Sequence, residues 1–380
     1  MKENPLKKLG ELGQSVWYDY IRRDLYTSGE LKRLIEEDGL RGMTSNPTIF
    51  QKAIAETELY DEDIRRAASE GKEPAEIFEG LAVEDVRRAA DVFRTVYDAS
   101  GGNDGFVSIE VAPRLARDTE GSIAEARRLW KSCDRPNVMV KIPGTPEGVP
   151  AIRRCLAEGI NINITLLFSV ARHREVMEAY LSACEERVAA GKPVDRLRSV
   201  ASFFVSRVDT NVDKKLDVIA KTGGSDRERS LASDLRGKVA IANARIAYEA
   251  FEEVFGGGRA RFLTLKEKGA HLQRPLWAST STKDPAYPEL YYAEALIAPN
   301  TVDTLPPETF AAYRERGDPK VRIHDDLMGA HAAFRGLTEL GIDEKQVSRE
   351  LEEEGVKKFA DSFDSLLKAL EEKEKAMRVA

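Results

Sequence analysis

The amino-acid sequence predicts an α/β protein, and specifically a (β/α)8 or TIM barrel. Two observations predict this fold: eight short apolar segments are spaced along the chain, and segments with helical periodicity lie between them. Strands that alternate with helices form a parallel sheet, and eight such units suggest a closed barrel. The chain has 380 residues. Because about 250 residues are enough for such a barrel, additional elements are expected.

The predicted strands are short apolar runs, and the fourth shows the clearest alternation. There Val138, Val140 and Ile142 alternate with Met139 and Lys141, which is the period of a β-strand. In chain order the predicted strands are residues 15–19, 39–46, 105–111, 137–142, 162–168, 199–206, 276–281 and 296–302.

The clearest predicted helix follows the fourth strand, in the segment TPEGVPAIRRCLAEG at 145–159. Thr145 can cap its amino terminus, Pro146 suits the first helical position, and Gly159 is a typical end. The spacing of apolar residues also predicts helices in residues 121–130 and 169–191.

Two helical segments account for the additional length. Residues 51–104 form a charged, mostly helical insertion between the second and third strands, and residues 325–375 form a helical C-terminal tail. The apolar stripe of the tail is typical of packing, and both segments are interpreted as lids or packing elements. Residues 1–380 as a whole are predicted to form a single domain.

The composition argues against several classes of protein. The net charge is −7 with both signs interspersed along the chain, so there is no basic excess for nucleic acid. The amino terminus lacks the apolar core of a signal peptide, and no run of about 18 apolar residues could span a membrane. Three cysteines without a C-x-x-C motif predict neither a disulfide framework nor a zinc site. A cytoplasmic protein that contacts neither nucleic acid nor a membrane is expected.

Polar side chains at the carboxyl ends of the predicted strands are expected to converge on one cavity. Active sites of barrels lie at this end, and the polar phase of each strand points inward if the aliphatic phase packs against the helices. The residues predicted to converge are Asp19, Asn46, Glu110, Lys141, Asn163, Thr165 and Ser202, with Thr44 and Phe204 in the same phases.

A purely structural interpretation exists for several of these residues. Lys141 and Glu110 could form a buried ion pair that fixes packing, and Asp19 and Asn46 could be turn or cap residues. Seven converging polar groups are harder to explain by packing, because each desolvated group costs free energy unless it is satisfied. The functional interpretation is therefore favoured.

The chemistry of such a site follows from its residue types. A lysine removed from water loses its proton more readily, and the free amine attacks a carbonyl to form a Schiff base, which is an electron sink. The adjacent C–C bond can then break or form, with Glu110 and Asp19 as proton carriers. This combination indicates a class I aldolase or an aldol-transfer enzyme that needs neither a metal nor an organic cofactor.

A phosphate site is predicted beside this chemistry. Arg207 follows the sixth strand, and basic and hydroxyl groups at such positions suit a substrate phosphate. The alternative for Arg207 is a surface salt bridge with Asp209 or Asp213. The loop after the seventh strand adds Ser279, Ser281 and Lys283.

Five motifs together carry a family likeness. They are GMTSNPTIF (42–50), VSIEVAPRLARDTEGS (107–122), VMVKIPGTPEG (138–148), NINITLLFS (161–169) and ASFFVSRVD (201–209). They occur in family order, and their combination resembles the transaldolases, specifically the longer bacterial type, over most of the chain.

The resemblance implies a role for each matching position. Lys141 corresponds to the Schiff-base lysine and Asp19 to the proton-transfer aspartate, while Glu110 and Thr165 match the pair that holds and activates a catalytic water. The substrate-binding positions implied are Thr44, Asn46 and Asn163 for the dihydroxyacetone part, Ser202 and Phe204 for the pocket wall, and Arg207 for the phosphate.

The chain departs from the family pattern at one side of the phosphate site. Shorter relatives have a serine followed two residues later by a basic residue after the seventh strand. Ser279 fits the first position, but Ser281 occupies the second. Lys283 is therefore assigned to supply the charge from two residues further on.

The reaction implied is the transfer of a dihydroxyacetone unit between sugar phosphates in the non-oxidative pentose phosphate pathway. Donors would be sedoheptulose 7-phosphate or fructose 6-phosphate, and acceptors glyceraldehyde 3-phosphate or erythrose 4-phosphate. A monomer or homodimer that binds these phosphorylated sugars is expected.

Two alternatives remain open. One is a fructose 6-phosphate aldolase of the same superfamily, which releases free dihydroxyacetone and uses a tyrosine-assisted water; Phe204 and Glu110 argue against it. The other is a non-catalytic phosphosugar-binding barrel, which would keep Arg207 and Ser279 but would not need Lys141 beside two carboxylates.

Overall fold

The computed structural model describes residues 4–257 and 260–379. Residues 1–3, 258–259 and 380 of the predicted domain lie outside the described residues. Over the described part of the chain, no helix combines the length and the apolar composition needed to cross a membrane.

Eight parallel strands form a closed barrel in chain order, with the last strand pairing with the first. The predicted (β/α)8 fold is confirmed. The strands are β1 (Gln14–Asp19), β2 (Gly42–Thr44), β3 (Phe106–Glu110), β4 (Val138–Pro143), β5 (Ile162–Leu167), β6 (Ser199–Phe204), β7 (Gln273–Ala278) and β8 (Thr301–Leu305).

Helices connect the strands and surround the barrel. Before β3 they are α1 (Pro5–Glu11), α2 (Arg23–Thr27), α3 (Glu30–Asp38), α4 (Pro47–Ala55), α5 (Asp61–Ser69) and α6 (Pro74–Ala99). Up to β7 they are α7 (Thr119–Cys133), α8 (Gly148–Glu158), α9 (Val170–Ala189), α10 (Ser206–Thr222), α11 (Asp226–Leu235), α12 (Val239–Phe255) and α13 (Ala260–Glu267). The last four are α14 (Tyr291–Ala295), α15 (Pro307–Arg316), α16 (Leu327–Glu339) and α17 (Glu344–Val379).

The predicted bounds of the last two strands were wrong. Each end of β7 lies three residues before the matching end of the predicted segment 276–281. The strand ends there because Ser279 adopts a left-handed backbone with a φ of 58°. The predicted segment 296–302 shares only residues 301 and 302 with β8. The apolar residues before it, such as Ile297, are buried in a loop that turns at Asn300, where φ is 59°.

The fifth strand contains an irregularity that alternation did not predict. The register between β5 and β6 shifts between Ile164 and Leu167, and Leu166 has a φ of 59°. Regular alternation would place Leu166 on the same face as Ile164, but its side chain lies against Gly355 of α17 instead. A bulge adds one residue to a strand and so redirects the following side chains.

The helix after β4 begins later than predicted. α8 starts at Gly148 rather than at Pro146. Thr145 still takes part in its amino terminus, because its hydroxyl accepts a hydrogen bond from the Gly148 N–H at 3.0 Å and donates one to the Ala116 carbonyl at 2.6 Å. The end at Gly159, which has a φ of 95°, agrees with the prediction.

Only part of segment 51–104 is additional to the barrel. Its last helix, α6, lies where an ordinary barrel helix would, since it packs beside β3 through the edge-to-face pair of Tyr97 and Phe106 at 5.5 Å. The Asn137 side chain also donates to the Ala90 carbonyl of α6 at 2.8 Å. The extra elements are therefore α4 and α5.

The C-terminal helix α17 crosses the carboxyl ends of the strands. Its Ser362 hydroxyl is 2.8 Å from that of Thr48 in α4, and Lys373 donates to Asp61 in α5 at 2.6 Å. Phe363 packs edge-to-face on Phe78 of α6 at 5.6 Å. Its Phe359 ring lies 5.8 Å from the Nζ of Lys141 in β4, so α17 covers the end of the barrel at which the site was predicted.

Candidate active site

The carboxyl ends of the strands surround a cavity of about 400 Å³. Its lining includes ten of the twelve residues predicted from the sequence: Asp19, Thr44, Asn46, Lys141, Thr165, Ser202, Phe204, Arg207, Ser279 and Lys283. The other two, Glu110 and Asn163, lie outside this lining and contact residues within it. Alternation along the strands thus placed these side chains at one end of the barrel.

Lys141 is buried at the floor of the cavity, with 5% of its surface exposed. Its Nζ lies 3.3 Å from Glu110 Oε2 and donates a hydrogen bond to the Ser45 carbonyl at 3.2 Å. The Phe359 ring of α17 lies 5.8 Å from the same nitrogen. The ion pair of the structural interpretation is therefore present, and the same amine also faces a cavity of substrate size.

Asp19 and Thr44 form a hydrogen-bonded pair beside this lysine. Thr44 Oγ1 donates to Asp19 Oδ1 at 2.7 Å and lies 2.7 Å from the hydroxyl of Thr304. Asp19 keeps a partly exposed face toward the cavity, but burial within the barrel end raises its pKa, while Lys141 acts in the opposite direction. Such a carboxyl gains and loses a proton closer to neutral pH than an exposed aspartate does.

Glu110 and Thr165 each have a buried oxygen without a hydrogen bond in the described structure, namely Oε2 and Oγ1. Glu110 Oε2 does form the ion pair with Lys141, so its charge is balanced but its hydrogen-bonding capacity is not used. Burial raises the pKa of Glu110, with Lys141 opposing that effect. Buried polar atoms of this kind usually have a water or a ligand as partner.

Asn163 is held rigidly below the cavity. Its amide nitrogen donates to Ser108 Oγ at 3.0 Å, and its amide oxygen accepts from Ser202 Oγ at 2.7 Å. Ser202 itself reaches the cavity lining. The direct contact between Asn163 and a substrate therefore stays a prediction, and in this structure the residue positions Ser202.

Asn46 is a helix cap that also lies at the cavity. Its side-chain oxygen accepts from the Ile49 N–H at 3.0 Å and so caps α4. The same residue lines the main cavity, and it also lines a smaller one of about 60 Å³ together with Glu110. The cap fixes the side chain at the mouth of the barrel.

Arg207 does not form the surface salt bridge that was its alternative interpretation. Asp209 accepts from the Ala240 N–H and from Tyr292, while Asp213 accepts from the Gly237 N–H and from Tyr287. Among the described residues, Arg207 has no ion pair; its guanidinium lies 5.1 Å from the centre of the Phe204 ring. Burial lowers the pKa of Arg207, and Glu354 and Asp19 oppose this.

Ser279 and Lys283 lie on the loop after β7. Ser279 Oγ is 3.0 Å from Ser206 Oγ at the start of α10, and its strained backbone is typical of residues held in place for function. Lys283 Nζ donates to Ser281 Oγ at 2.6 Å. Ser281, which departs from the family pattern, is thus hydrogen-bonded to Lys283, the residue assigned to supply the charge instead.

Several residues that line the cavity were not predicted. They are Tyr20, Thr48, Ile49, Lys52, Ala278, Thr304, Pro306, Pro307, Glu308, Lys358 and Phe359. Thr304 shares its phase in β8 with the aliphatic Val302, so alternation would not have indicated it even with correct bounds. Lys52 and Lys358 belong to α4 and α17, and no local pattern connects those helices with the barrel end.

A sequence model of one enzyme family matches nearly the whole chain. It is described as transaldolase/fructose-6-phosphate aldolase and matches residues 16–370. The chain belongs to the transaldolase/fructose-6-phosphate aldolase family. The resemblance stated from the five motifs is therefore confirmed.

Curated relatives within this family cover the chain almost completely. The transaldolase of Trichodesmium erythraeum is 44% identical over 379 residues, which is 99% of each chain. Those of Saccharopolyspora erythraea and Thermobifida fusca are both 48% identical, over 97% and 96% of each chain respectively. The prediction of an enzyme of the transaldolase type is confirmed, and the alternative of a non-catalytic binding barrel is wrong.

Proposed function

We propose that this transaldolase-family enzyme moves a dihydroxyacetone unit from a ketose phosphate to an aldose phosphate through a Schiff base on Lys141. The expected donors are sedoheptulose 7-phosphate and fructose 6-phosphate, and the expected acceptors are glyceraldehyde 3-phosphate and erythrose 4-phosphate. One observation carries the proposal: the Lys141 amine lies 3.3 Å from Glu110 at the floor of a cavity that Asp19 also lines.

The reaction begins when the free amine of Lys141 attacks the ketone carbon of the donor, and loss of water forms the imine. A carboxylate then takes the proton of the C4 hydroxyl, the C3–C4 bond breaks, and the aldose product leaves. Asp19 is the proposed proton carrier, because it lines the cavity with Lys141 and burial raises its pKa above that of an exposed aspartate. The enamine that remains on Lys141 attacks the acceptor aldehyde.

Water is needed to release the product, since hydrolysis of the second imine frees Lys141. We assign the positioning of that water to Glu110 and Thr165. Each of them has a buried oxygen without a hydrogen bond among the described residues. A water between these atoms would satisfy both, and Glu110 would act on it as a base.

The substrate is oriented by groups at the two ends of the cavity. The reacting carbonyl is placed at the floor by Lys141, while the phosphate is placed at the rim by Arg207, Ser279 and Lys283. Thr44, Asn46, Asn163, Ser202 and Phe204 complete the proposed pocket for the sugar. A fixed distance between the two ends would explain selection of phosphorylated sugars.

Borohydride reduction in the presence of fructose 6-phosphate tests the proposal. A dihydroxyacetone-derived mass is expected on the peptide that contains Lys141, because borohydride reduces an imine to a stable amine. Lys141→Met should abolish both the adduct and turnover, whereas Lys192→Met, at an exposed lysine, should change neither. An unmodified Lys141 in a protein shown separately to bind the donor would contradict the mechanism.

A second candidate is aldol cleavage without transfer, since the family model also includes fructose-6-phosphate aldolase. The test is the accumulation of dihydroxyacetone when no acceptor is present. Phe204 lines the cavity without a hydroxyl group, so we expect the enzyme to hold the enamine for an acceptor. Free dihydroxyacetone at the rate of the transfer reaction would favour the aldolase.

We further propose a cytoplasmic enzyme that works as a monomer or a homodimer. Cys133, Cys155 and Cys184 are free and buried, which suits a reducing compartment. Sedimentation velocity would distinguish a particle of 42.3 kDa from one of twice that mass.

A further inference from the structure

Four cationic side chains from four different elements line the rim of the cavity: Lys52 of α4, Arg207 of α10, Lys283 of the loop after β7 and Lys358 of α17. Of these four, the sequence indicated only Arg207 and Lys283 as ligands of the substrate phosphate. Like charges that share a small cavity repel each other, and this repulsion is relieved when an anion binds between them.

Lys358 differs from its neighbour on α17 in its surroundings. Among the described residues, no carboxylate forms an ion pair with Lys358, whereas Lys357 pairs with Asp361 at 2.7 Å. Partial burial and then the charges of Arg207 and Lys283 lower the pKa of Lys358, and Glu354 offsets part of that effect. Lys358 also lines the same cavity as Arg207 and Lys283, the two residues expected to bind the substrate phosphate.

The geometry of α17 brings this lysine to the cavity. Gly355, Lys358 and Phe359 are three and four residues apart and so lie on one helix face. A Cβ at Gly355 would be 2.9 Å from Leu166 and 3.6 Å from Arg207, so the helix passes directly over both. Phe359, on the same face, reaches within 5.8 Å of Lys141 Nζ.

We propose that Lys358 binds the substrate phosphate together with Arg207 and Lys283, so that the C-terminal helix supplies part of the phosphate site. This inference rests on the proposed function, because it concerns the same substrate. It assigns to Lys358 the charge of the second basic position, which the family pattern fills with a basic residue and this chain fills with Ser281. It adds to the role of Lys283 rather than replacing it. Phosphate binding would in turn hold α17 over the mouth of the barrel.

Calorimetric titration with inorganic phosphate and with fructose 6-phosphate tests the assignment. Lys358→Ala removes a charge-assisted hydrogen bond to the phosphate, so it should weaken the binding of both ligands about 10-fold or more. Lys358→Arg should keep most of the affinity, since its charge remains. Lys357→Ala is the matched control on the same helix, and it should bind both ligands like the unchanged enzyme.

Borohydride trapping with dihydroxyacetone, which has no phosphate, separates this inference from the proposed function. Lys358→Ala should be trapped on Lys141 as readily as the unchanged enzyme, which would also show that the variant is folded. If Lys358→Ala bound inorganic phosphate and fructose 6-phosphate within twofold of the unchanged enzyme, the proposed role of Lys358 would be overturned. Weakened phosphate binding without any trapping on Lys141 would support Lys358 and contradict the Schiff-base mechanism.

Discussion

At the scale of single residues, the site combines satisfied and unsatisfied polar groups. Asn163 has a partner for both ends of its amide, and Asp19 is held by Thr44. The oxygens left without a hydrogen bond, Thr165 Oγ1 and Glu110 Oε2, are those assigned to the catalytic water. The two oxygens that could still accept a hydrogen bond thus belong to the residues assigned to the hydrolysis step, which needs a water molecule.

Thr165→Val should therefore lower the activity of the enzyme but leave its stability nearly unchanged. The substitution removes no protein hydrogen bond seen among the described residues, so the free energy of unfolding should change by less than about 1 kcal/mol. Loss of the water ligand should lower kcat about 100-fold. Steady-state kinetics and urea unfolding of the same preparation measure the two effects.

Thr301→Val is the matched control at the opposite end of the barrel. Thr301 Oγ1 donates to the Ala298 carbonyl at 2.6 Å and accepts from Gln14 at 3.0 Å. Removing both hydrogen bonds should lower the free energy of unfolding by about 1–3 kcal/mol with kcat unchanged. A fully active Thr165→Val enzyme would remove Thr165 from the mechanism.

At the scale of elements, α17 decides the shape of the cavity. It contributes Lys358 and Phe359 to the lining, and it is tied to α4 and α5 by Ser362 and Lys373. These contacts show that the tail packs against the barrel end, and a role as a lid stays a prediction. The specific side chains that it brings to the site were not predicted, because the C-terminal helix and the strands of the barrel are distant in the chain and meet only in the tertiary structure.

Gly355→Leu should weaken substrate binding by displacing this helix. A Cβ at Gly355 already comes within 2.9 Å of Leu166, and the longer side chain would also reach Arg207. We expect the concentration of fructose 6-phosphate at half-saturation to rise about 10-fold, since a shift of about 1 Å at a site has effects of this size or larger.

Lys357→Leu adds the same side chain to an exposed position of α17, and its surface ion pair with Asp361 contributes little. This variant should leave the concentration of fructose 6-phosphate at half-saturation unchanged. If Gly355→Leu bound fructose 6-phosphate as tightly as this control does, the close passage of α17 over the cavity would not matter for binding.

At the scale of the whole molecule, one hydrophobic cluster extends from Leu6 of α1 to Leu370 of α17. We propose on this basis that residues 1–380 form a single domain, which unfolds in one transition. A carboxyl outside the site, that of Asp303 in β8, is also buried. Thr280 donates to it at 2.9 Å, and burial raises the pKa of Asp303 to about 8.

Asp303→Asn should make stability depend less on pH. In the folded state the pKa of Asp303 rises from 3.8 to about 8, so its favourable contribution is complete below about pH 4 and is lost as pH rises through 8. Asparagine can still accept from Thr280. We expect the loss of unfolding free energy between pH 5 and pH 8 to shrink by about 1–4 kcal/mol.

Urea unfolding at pH 5 and at pH 8 measures the free energy of unfolding of the unchanged chain and of each variant. Asp361→Asn, on the exposed face of α17, should leave the pH dependence as it is in the unchanged chain. An Asp303→Asn variant with the full original pH dependence would show that Asp303 is ionised in the folded protein. Two separated transitions would contradict the single domain.

The sequence by itself determined the barrel and the phase of most of its strands. Lys141, Asp19 and Thr44 point inward because side chains alternate along a strand, and this period is a local property of the backbone. The five motifs also sufficed to indicate the family. These features needed no knowledge of distant contacts.

The tertiary structure alone decided where alternation fails and what closes the site. Leu166 leaves its expected face at a bulge, and the polar residues of β8 obscured its bounds. The partners of Arg207, and the arrival of Lys358 at the rim, depend on where α10 and α17 pack. Such contacts join residues far apart in the chain, so their free energy is set by the whole core and cannot be read from any one segment.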